Sequence, residues 1–143
     1  MEKGGRSMAL FKKKTTLDHV LSAQQGELDA EYMYEEMAKV VEGQYPELAE
    51  EFRKVAKSER GHYYVCKKIT GKELTKPVPV KAILVSNILK KAPKVALKLV
   101  SDGEYDAASA YAPFILEYPS IEPVLKDEIR HGDKMKELSA KYF

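Results

Sequence analysis

Two Glu-x-x-His segments, Glu59-Arg-Gly-His62 and Glu128-Ile-Arg-His131, hold two of the three histidines of the chain. On a helix, residues three apart share one face, one turn apart, so each segment offers a carboxylate and an imidazole side by side. That donor pair is suited to holding a metal ion. Upstream of each segment lies a second repeated stretch. Gly26-Glu-Leu-Asp-Ala-Glu-Tyr-Met-Tyr34 aligns without gaps on Gly103-Glu-Tyr-Asp-Ala-Ala-Ser-Ala-Tyr111, keeping Gly, Glu, Asp, Ala and Tyr in register. Glu27, Glu59, His62, Glu104, Glu128 and His131 are therefore the candidate metal ligands, three from each half of an internal repeat.

The elements that must position them are helices, since nearly all the hydrophobic periodicity is helical. A first helix is expected from about Thr16 to Val41, capped by Thr15 or Thr16 with Asp18 in its first turn and Gly43 just past its end. Pro46 suits the first turn of a second helix, which runs to about Thr70 and stops at Gly71. Pro77, Pro79 and Pro93 punctuate the next stretch, with one short amphipathic helix between Val80 and Ala92. A third long helix starts near Pro93 or Lys94 and ends before Pro119, kinked at Pro113, which removes one backbone bond. Ser120 is placed to cap a fourth that reaches nearly to Phe143, and no convincing strand is present. The expected class is all-α: a four-helix bundle of residues 16–143, built from antiparallel hairpins 16–70 and 94–142 joined by a long crossover between helices 2 and 3. Residues 1–15 are expected to be a flexible N-terminal segment, with Met8 an alternative start that would make the first seven residues an extension.

Alternating steps of three and four residues bring the buried stripe of each helix into view. The first reads Val20, Ala23, Glu27, Ala30, Tyr34, Met37 and Val41, and the second Leu48, Phe52, Val55, Glu59, His62, Cys66 and Ile69. The third reads Leu97, Val100, Glu104, Ala107, Tyr111, Phe114 and Tyr118, and the fourth Ile121, Val124, Glu128, His131, Met135, Leu138 and Tyr142. An unpaired carboxylate in an apolar interior costs several kcal/mol, and converging carboxylates also repel. Two divalent ions would cancel the four negative charges, and neutral imidazoles would complete the coordination. One Glu from each of two helices and Glu-x-x-His from each of the other two is the donor set of di-iron and di-manganese carboxylate bundles.

Neighbouring residues carry further expectations. Gly26, Gly61, Gly103 and Gly132 each adjoin a candidate ligand, although glycine inside a helix costs about 1 kcal/mol relative to alanine. Close backbone approach, or room for a small oxidant, would justify them. Tyr34 and Tyr111 lie two turns beyond Glu27 and Glu104, and their phenols need partners, either a ligand carboxylate across the bundle or backbone. Asp127 is expected at an exposed position, with support of a histidine ring the alternative. His19 is read as a non-ligand, and Cys66 as a small core residue.

Composition narrows the function classes. The 143 residues are 44% hydrophobic and 32% charged, with a formal charge of +2, a balance that names no nucleic-acid or membrane partner. No apolar run reaches the roughly 18 residues needed to span a bilayer, and the first residues contain no signal-peptide core. One cysteine excludes an internal disulfide and a four-thiolate cluster, and a reducing cytoplasm is the expected compartment. The stretch from Lys67 to Lys98 holds nine lysines and one glutamate, read as a solvated crossover face or a dock for an acidic electron-transfer protein.

At the six candidate ligands the sequence resembles the ferritin-like superfamily, and within it the rubrerythrin-like proteins most closely, over roughly residues 16 to 142. The resemblance implies that Glu59 and Glu128 bridge two irons, with Glu27 and His62, and Glu104 and His131, as terminal ligands. Which terminal pair shares an iron is left open. It also implies reduction of hydrogen peroxide. With a single cysteine there is no rubredoxin domain, so electrons would come from a separate protein. Manganese suits such a site as well as iron, and dioxygen is the alternative oxidant. Rubrerythrins tend to carry another Glu one turn after the helix-3 ligand, where this chain has Ala107. The six-ligand pattern therefore looks equally like bacterioferritin, whose site oxidises ferrous iron, although the chain ends without a short fifth helix. Three readings follow: a di-iron peroxidase, a ferroxidase or iron-handling protein, and a non-catalytic helical binding module. A homodimer is expected, with helix-pair swapping through the crossover an open alternative.

Overall fold

A computed structural model describes residues 15–143; the readings of the N-terminal segment and of Met8 lie outside the described residues. Helix α1 spans Thr16–Val41, α2 Pro46–Thr70, α3 Val80–Lys91, α4 Pro93–Tyr111 and α5 Ile121–Tyr142, and among the described residues there is no strand. Local chemistry sets several of these boundaries. Thr15 Oγ1 accepts from the Asp18 amide at 3.2 Å while the Asp18 carboxylate accepts from the Thr15 amide at 2.9 Å, a reciprocal cap on α1. Pro46 opens α2, where a missing N–H costs nothing, and Gly71 closes it in the left-handed region at φ 68°.

Two boundaries differ from expectation. The third long helix ends at Tyr111, eight residues short of Pro119, because the backbone does not kink at Pro113 and continue. Pro113 has no N–H to extend the ladder, so the chain tightens into a 3₁₀ turn, Ala112–Phe114, and leaves the helix. Ser120 makes no side-chain cap on α5; it is itself helical, at φ −64° and ψ −14°. A cap there would bind the amide of Glu122 or of Pro123, and Pro123 has none. The Ile121 and Glu122 amides turn instead to the Tyr118 and Pro119 carbonyls, at 3.0 and 3.2 Å.

Helices α1 and α2 pack as one antiparallel hairpin, and α4 and α5 as the other. The hairpins meet through α2 and α5, while α3 lies against both α1 and α4 and so covers the seam between the first helices of the two pairs. The crossover before α3 has no regular structure of its own, and helix side chains secure its backbone. Gln24, fully buried, donates to the Lys72 carbonyl at 2.7 Å, and Gln25 donates to the Lys76 carbonyl at 3.0 Å. Asp29 accepts from the Val78 amide at 2.6 Å, and Tyr63 bonds both the carbonyl and the amide of Leu74 at 2.8 Å. Among the described residues no helix is long and apolar enough to cross a membrane.

Two apolar clusters form the core. The larger includes Met33, Met37, Leu48, Phe52, Leu97, Val100, Met135 and Leu138, and the smaller includes Val20, Cys66, Tyr111, Ile121 and Val124. Along all four long helices the candidate ligands stand between these clusters. The fold therefore excludes water from above and below a belt of polar side chains.

Candidate metal centre

The belt is buried. Glu59 and Glu128 are 1% exposed, Glu27 3%, His62 4%, Glu104 5% and His131 8%. Glu27 comes from α1, Glu59 and His62 from α2, Glu104 from α4, and Glu128 and His131 from α5. They converge as two overlapping groups, Glu27, Glu59, His62 and Glu128 in one and Glu59, Glu104, Glu128 and His131 in the other; within each group one donor atom per residue lies within 4.8 Å of all the rest. Glu59 and Glu128 belong to both groups. In space Glu27 stands with His62, and Glu104 with His131.

Each of the six residues has one atom turned inward that is buried and makes no hydrogen bond: Oε2 of Glu27 and Glu104, Oε1 of Glu59 and Glu128, and Nδ1 of both histidines. The outward atoms of the four terminal residues are occupied. Tyr111 donates to Glu27 Oε1 at 3.0 Å, and Tyr34 donates to Glu104 Oε1 at 2.8 Å. His62 Nε2 meets Asp127 Oδ2 at 2.9 Å, and His131 Nε2 meets Ser58 Oγ at 3.0 Å. With each Nε2–H committed outward, the Nδ1 lone pairs face carboxylate oxygens at 3.0–3.2 Å for His62 and 3.1–3.4 Å for His131. Lone pair against lone pair at that range needs a positive charge between. A buried acceptor left unsatisfied costs about 1–3 kcal/mol, and more when charged, so six aimed at one small volume fit a pair of cations.

Among the expectations, both tyrosines reach carboxylates of the candidate ligands across the bundle rather than backbone. Asp127 is not simply exposed: it is half-buried and holds His62, while Arg130 binds its other oxygen. Ser58 was missed. The signal was in the repeat, since Ser58 precedes Glu59 as Asp127 precedes Glu128. His19 stands apart and stacks on Phe114, with ring centroids 5.7 Å apart. Cys66 is a buried core residue whose thiol lies 3.4 Å from the Tyr111 hydroxyl, and burial pushes that thiol up to about 11, so it stays protonated at neutral pH.

The glycines divide. At Gly132 a Cβ would stand 2.7 Å from the Tyr105 ring, a true close approach, and at Gly103 it would meet Lys81 Nζ at 3.0 Å. Gly26 and Gly61 face open space, which overturns close approach as the reason for those two. Gly26 and Gly103 do line a cavity of about 200 Å³ whose other walls include Ala23, Ala30, Ala107, Ala110 and Lys81. All four carboxylates of the belt border it. Small side chains on α1 and α4 thus leave a path to the centre wide enough for a few atoms.

Without metal, protons must supply the positive charge. Burial, then repulsion from Glu59, raises Glu27 well above the usual carboxylate range, and burial pushes Glu104 up to about 7. Burial opposes charge on the imidazoles, but Glu128, Glu27 and Glu59 outweigh it at His62, which is held protonated. Glu104, Glu128 and Glu59 do the same at His131, raising it to about 11. Burial also opposes charge on Glu128, yet the two histidines bring it down to about 2. Metal ions would replace these protons. Loading the stripped protein near pH 6 is accordingly expected to release close to four protons per chain, from Glu27, His62, Glu104 and His131. Calorimetry in buffers of different ionisation enthalpy counts them, and loading with no net release would contradict this electrostatic account.

The described geometry repeats across the two halves, as the sequence does, and it occupies the middle of a bundle with one long crossover. No curated protein and no solved structure matches the chain. The rubrerythrin family model matches residues 18–139, a span that begins in the first turn of α1, ends in the last turn of α5 and carries all six inward-facing donors. On that match, over most of its length, the chain belongs to the rubrerythrin family.

Proposed function

We propose that this protein binds two iron ions at Glu27, Glu59, His62, Glu104, Glu128 and His131 and reduces hydrogen peroxide to water with electrons from a separate donor protein. The observation that carries the reading is the set of six buried, unpaired donor atoms, one per residue, divided into two groups that share Glu59 and Glu128. A carboxylate-rich set with one imidazole per ion suits iron or manganese. Iron is preferred because a bound pair can supply both electrons needed to convert one peroxide and two protons into two waters.

The chain's own residues supply position and exclusion. Tyr111 and Tyr34 tie down one oxygen of Glu27 and of Glu104, leaving the other of each to face inward. Asp127 and Ser58 hold the histidines so that Nδ1 points to the centre. The apolar clusters on either side keep bulk water out, and the cavity beside Gly26 and Gly103 admits a molecule of peroxide's size. Burial and Glu104 raise the Tyr34 phenol well above its ordinary value, and burial and Glu27 do the same at Tyr111, so both stay neutral donors.

One observation favours a second reading. Ala107 lines the cavity where rubrerythrins tend to have another carboxylate, which leaves six protein donors and an iron-handling role in which ferrous iron is substrate. Mixing ferrous-loaded protein with peroxide and, separately, with dioxygen distinguishes the two. A peroxidase consumes peroxide much faster and still holds two irons per chain after repeated cycles. Rapid reaction with dioxygen followed by loss of iron would replace the first reading with the second.

A further inference from the structure

The internal repeat makes the two halves of the centre comparable residue by residue, and the outer partners of the two histidines are chemically different. The position before each shared glutamate reaches across to the histidine of the other half. In one direction it is Asp127, whose carboxylate takes the Nε2–H of His62 at 2.9 Å; in the other it is Ser58, whose hydroxyl takes that of His131 at 3.0 Å. The difference extends one turn along each helix. Arg130 binds Asp127 Oδ1 and leaves Oδ2 directed at His62, whereas the matching position after Ser58 is Gly61, whose missing Cβ faces open space. The carboxylate supports are alike, apart from the Cys66 thiol that also meets the Tyr111 hydroxyl. The two tyrosine–carboxylate bonds are 3.0 and 2.8 Å, and Glu59 and Glu128 serve both halves.

An imidazole that donates its outer N–H to a carboxylate is a more basic ligand through its inner nitrogen than one that donates to a neutral hydroxyl, because the charge-assisted bond is roughly twice as strong. Such outer partners typically change metal affinity by about 10–100-fold. We infer that the two metal positions are unequal: the position at Glu27 and His62 fills first and holds its ion tightly, and the position at Glu104 and His131 fills second and exchanges. This rests on the two-metal reading of the centre but not on the reaction assigned to it. One consequence is that ordered addition of two different divalent metals would assemble a mixed pair of defined arrangement.

A simple titration does not decide this. The first ion neutralises Glu59 and Glu128, which both positions share, so even a symmetric centre would load in two steps. The positions must be read separately. Full-length protein stripped of metal, given one equivalent of Co(II) and crystallised, reports the occupancy of each position by anomalous scattering. The expected occupancy at Glu27/His62 exceeds that at Glu104/His131 by about tenfold or more. D127N should bring the ratio close to one. Exchanging the supports, with S58D/G61R in one half and D127S/R130G in the other, should reverse it; the open space at Gly61 makes room for the arginine. Equal occupancies in the unaltered protein, or a ratio that D127N leaves unchanged, would overturn the inference while leaving the two-metal reading intact. No cobalt at either position would overturn both. Should a variant fail to fold, as judged by its helical circular dichroism, the ratio in the unaltered protein alone decides.

Discussion

Glu59→Gln is expected to abolish stable binding of both metals while leaving the bundle folded. Glu59 Oε1 lies 3.2 Å from His62 Nδ1 and 3.1 Å from His131 Nδ1, so one side chain borders both positions. The amide keeps the shape of the carboxylate but removes its charge, and each ion would lose a shared anionic donor. The cost per ion should exceed the roughly 10–100-fold that loss of an outer hydrogen-bond partner produces. Metal content after dialysis should fall from two per chain to well below one, and peroxide reduction should fall with it. The stripped variant should keep its helical circular dichroism but melt lower than the stripped parent, because the two histidines lose a carboxylate that offsets their buried charge. Glu128→Gln, at the other shared position, should behave alike. An exposed carboxylate such as Glu50→Gln should change nothing. Retention of two tightly held ions by either shared-position variant would refute the proposed ligand set.

The second large effect is a divergence in pH dependence between the stripped and loaded protein. Glu104, raised to about 7 by burial, and Glu27, raised in the same direction, favour the folded state while protonated. Their contribution is present below the ordinary carboxylate value and is lost as pH rises through about 7. The raised histidines act in the same sense at higher pH: their stabilisation is full below the ordinary imidazole value and declines until His131 titrates at about 11. Glu128 works oppositely, since its value of about 2 gives stability that is lost only in strong acid. The stripped protein should therefore be most stable in mildly acidic solution and weaken steadily from about pH 5 to about pH 8, through Glu104 and Glu27 first and the histidines after them. The shift at Glu104 alone corresponds to about 3 kcal/mol, or roughly 10 °C in melting temperature for a chain of this size. The loaded protein should not follow. Protons compete with metal for the same donors, so metal affinity, and the stability it adds, rises with pH. Calorimetry of both forms at pH 5, 6, 7 and 8 should show a widening gap. Parallel curves would mean that the inward donors do not exchange protons for metal.

Helix boundaries were legible wherever a local group determines them. Thr15 with Asp18, Pro46, and Gly71 act through bonds or torsions within a few residues, and α1 and α2 start and stop there. The reading failed where two local signals competed. Pro113 reads as a kink in a continuing helix, whereas the chain turns through Ala112–Phe114 and leaves the helix there. Ser120 reads as a cap, but Pro123 has no amide to offer and the Glu122 amide bonds the Pro119 carbonyl instead.

The six inward donors could be named from the sequence because burial on a helix is periodic and the repeat states the pattern twice. Period places Glu27, Glu59, His62, Glu104, Glu128 and His131 on apolar faces, and an apolar face has one destination in a bundle. Which residues share a position, and what holds each one, followed only from how the helices pack. The bonds that orient the centre join residues 65, 70, 73 and 84 positions apart. They run between different hairpins and depend on how the helices are offset along their axes. No propensity or period encodes such an offset, because it is set by the volumes of side chains such as Phe52, Leu97 and Met135 packed between the helices. The contrast between Asp127 and Ser58 was visible as letters from the start, but it became a difference between two metal positions only when the fold carried each residue to the opposite histidine.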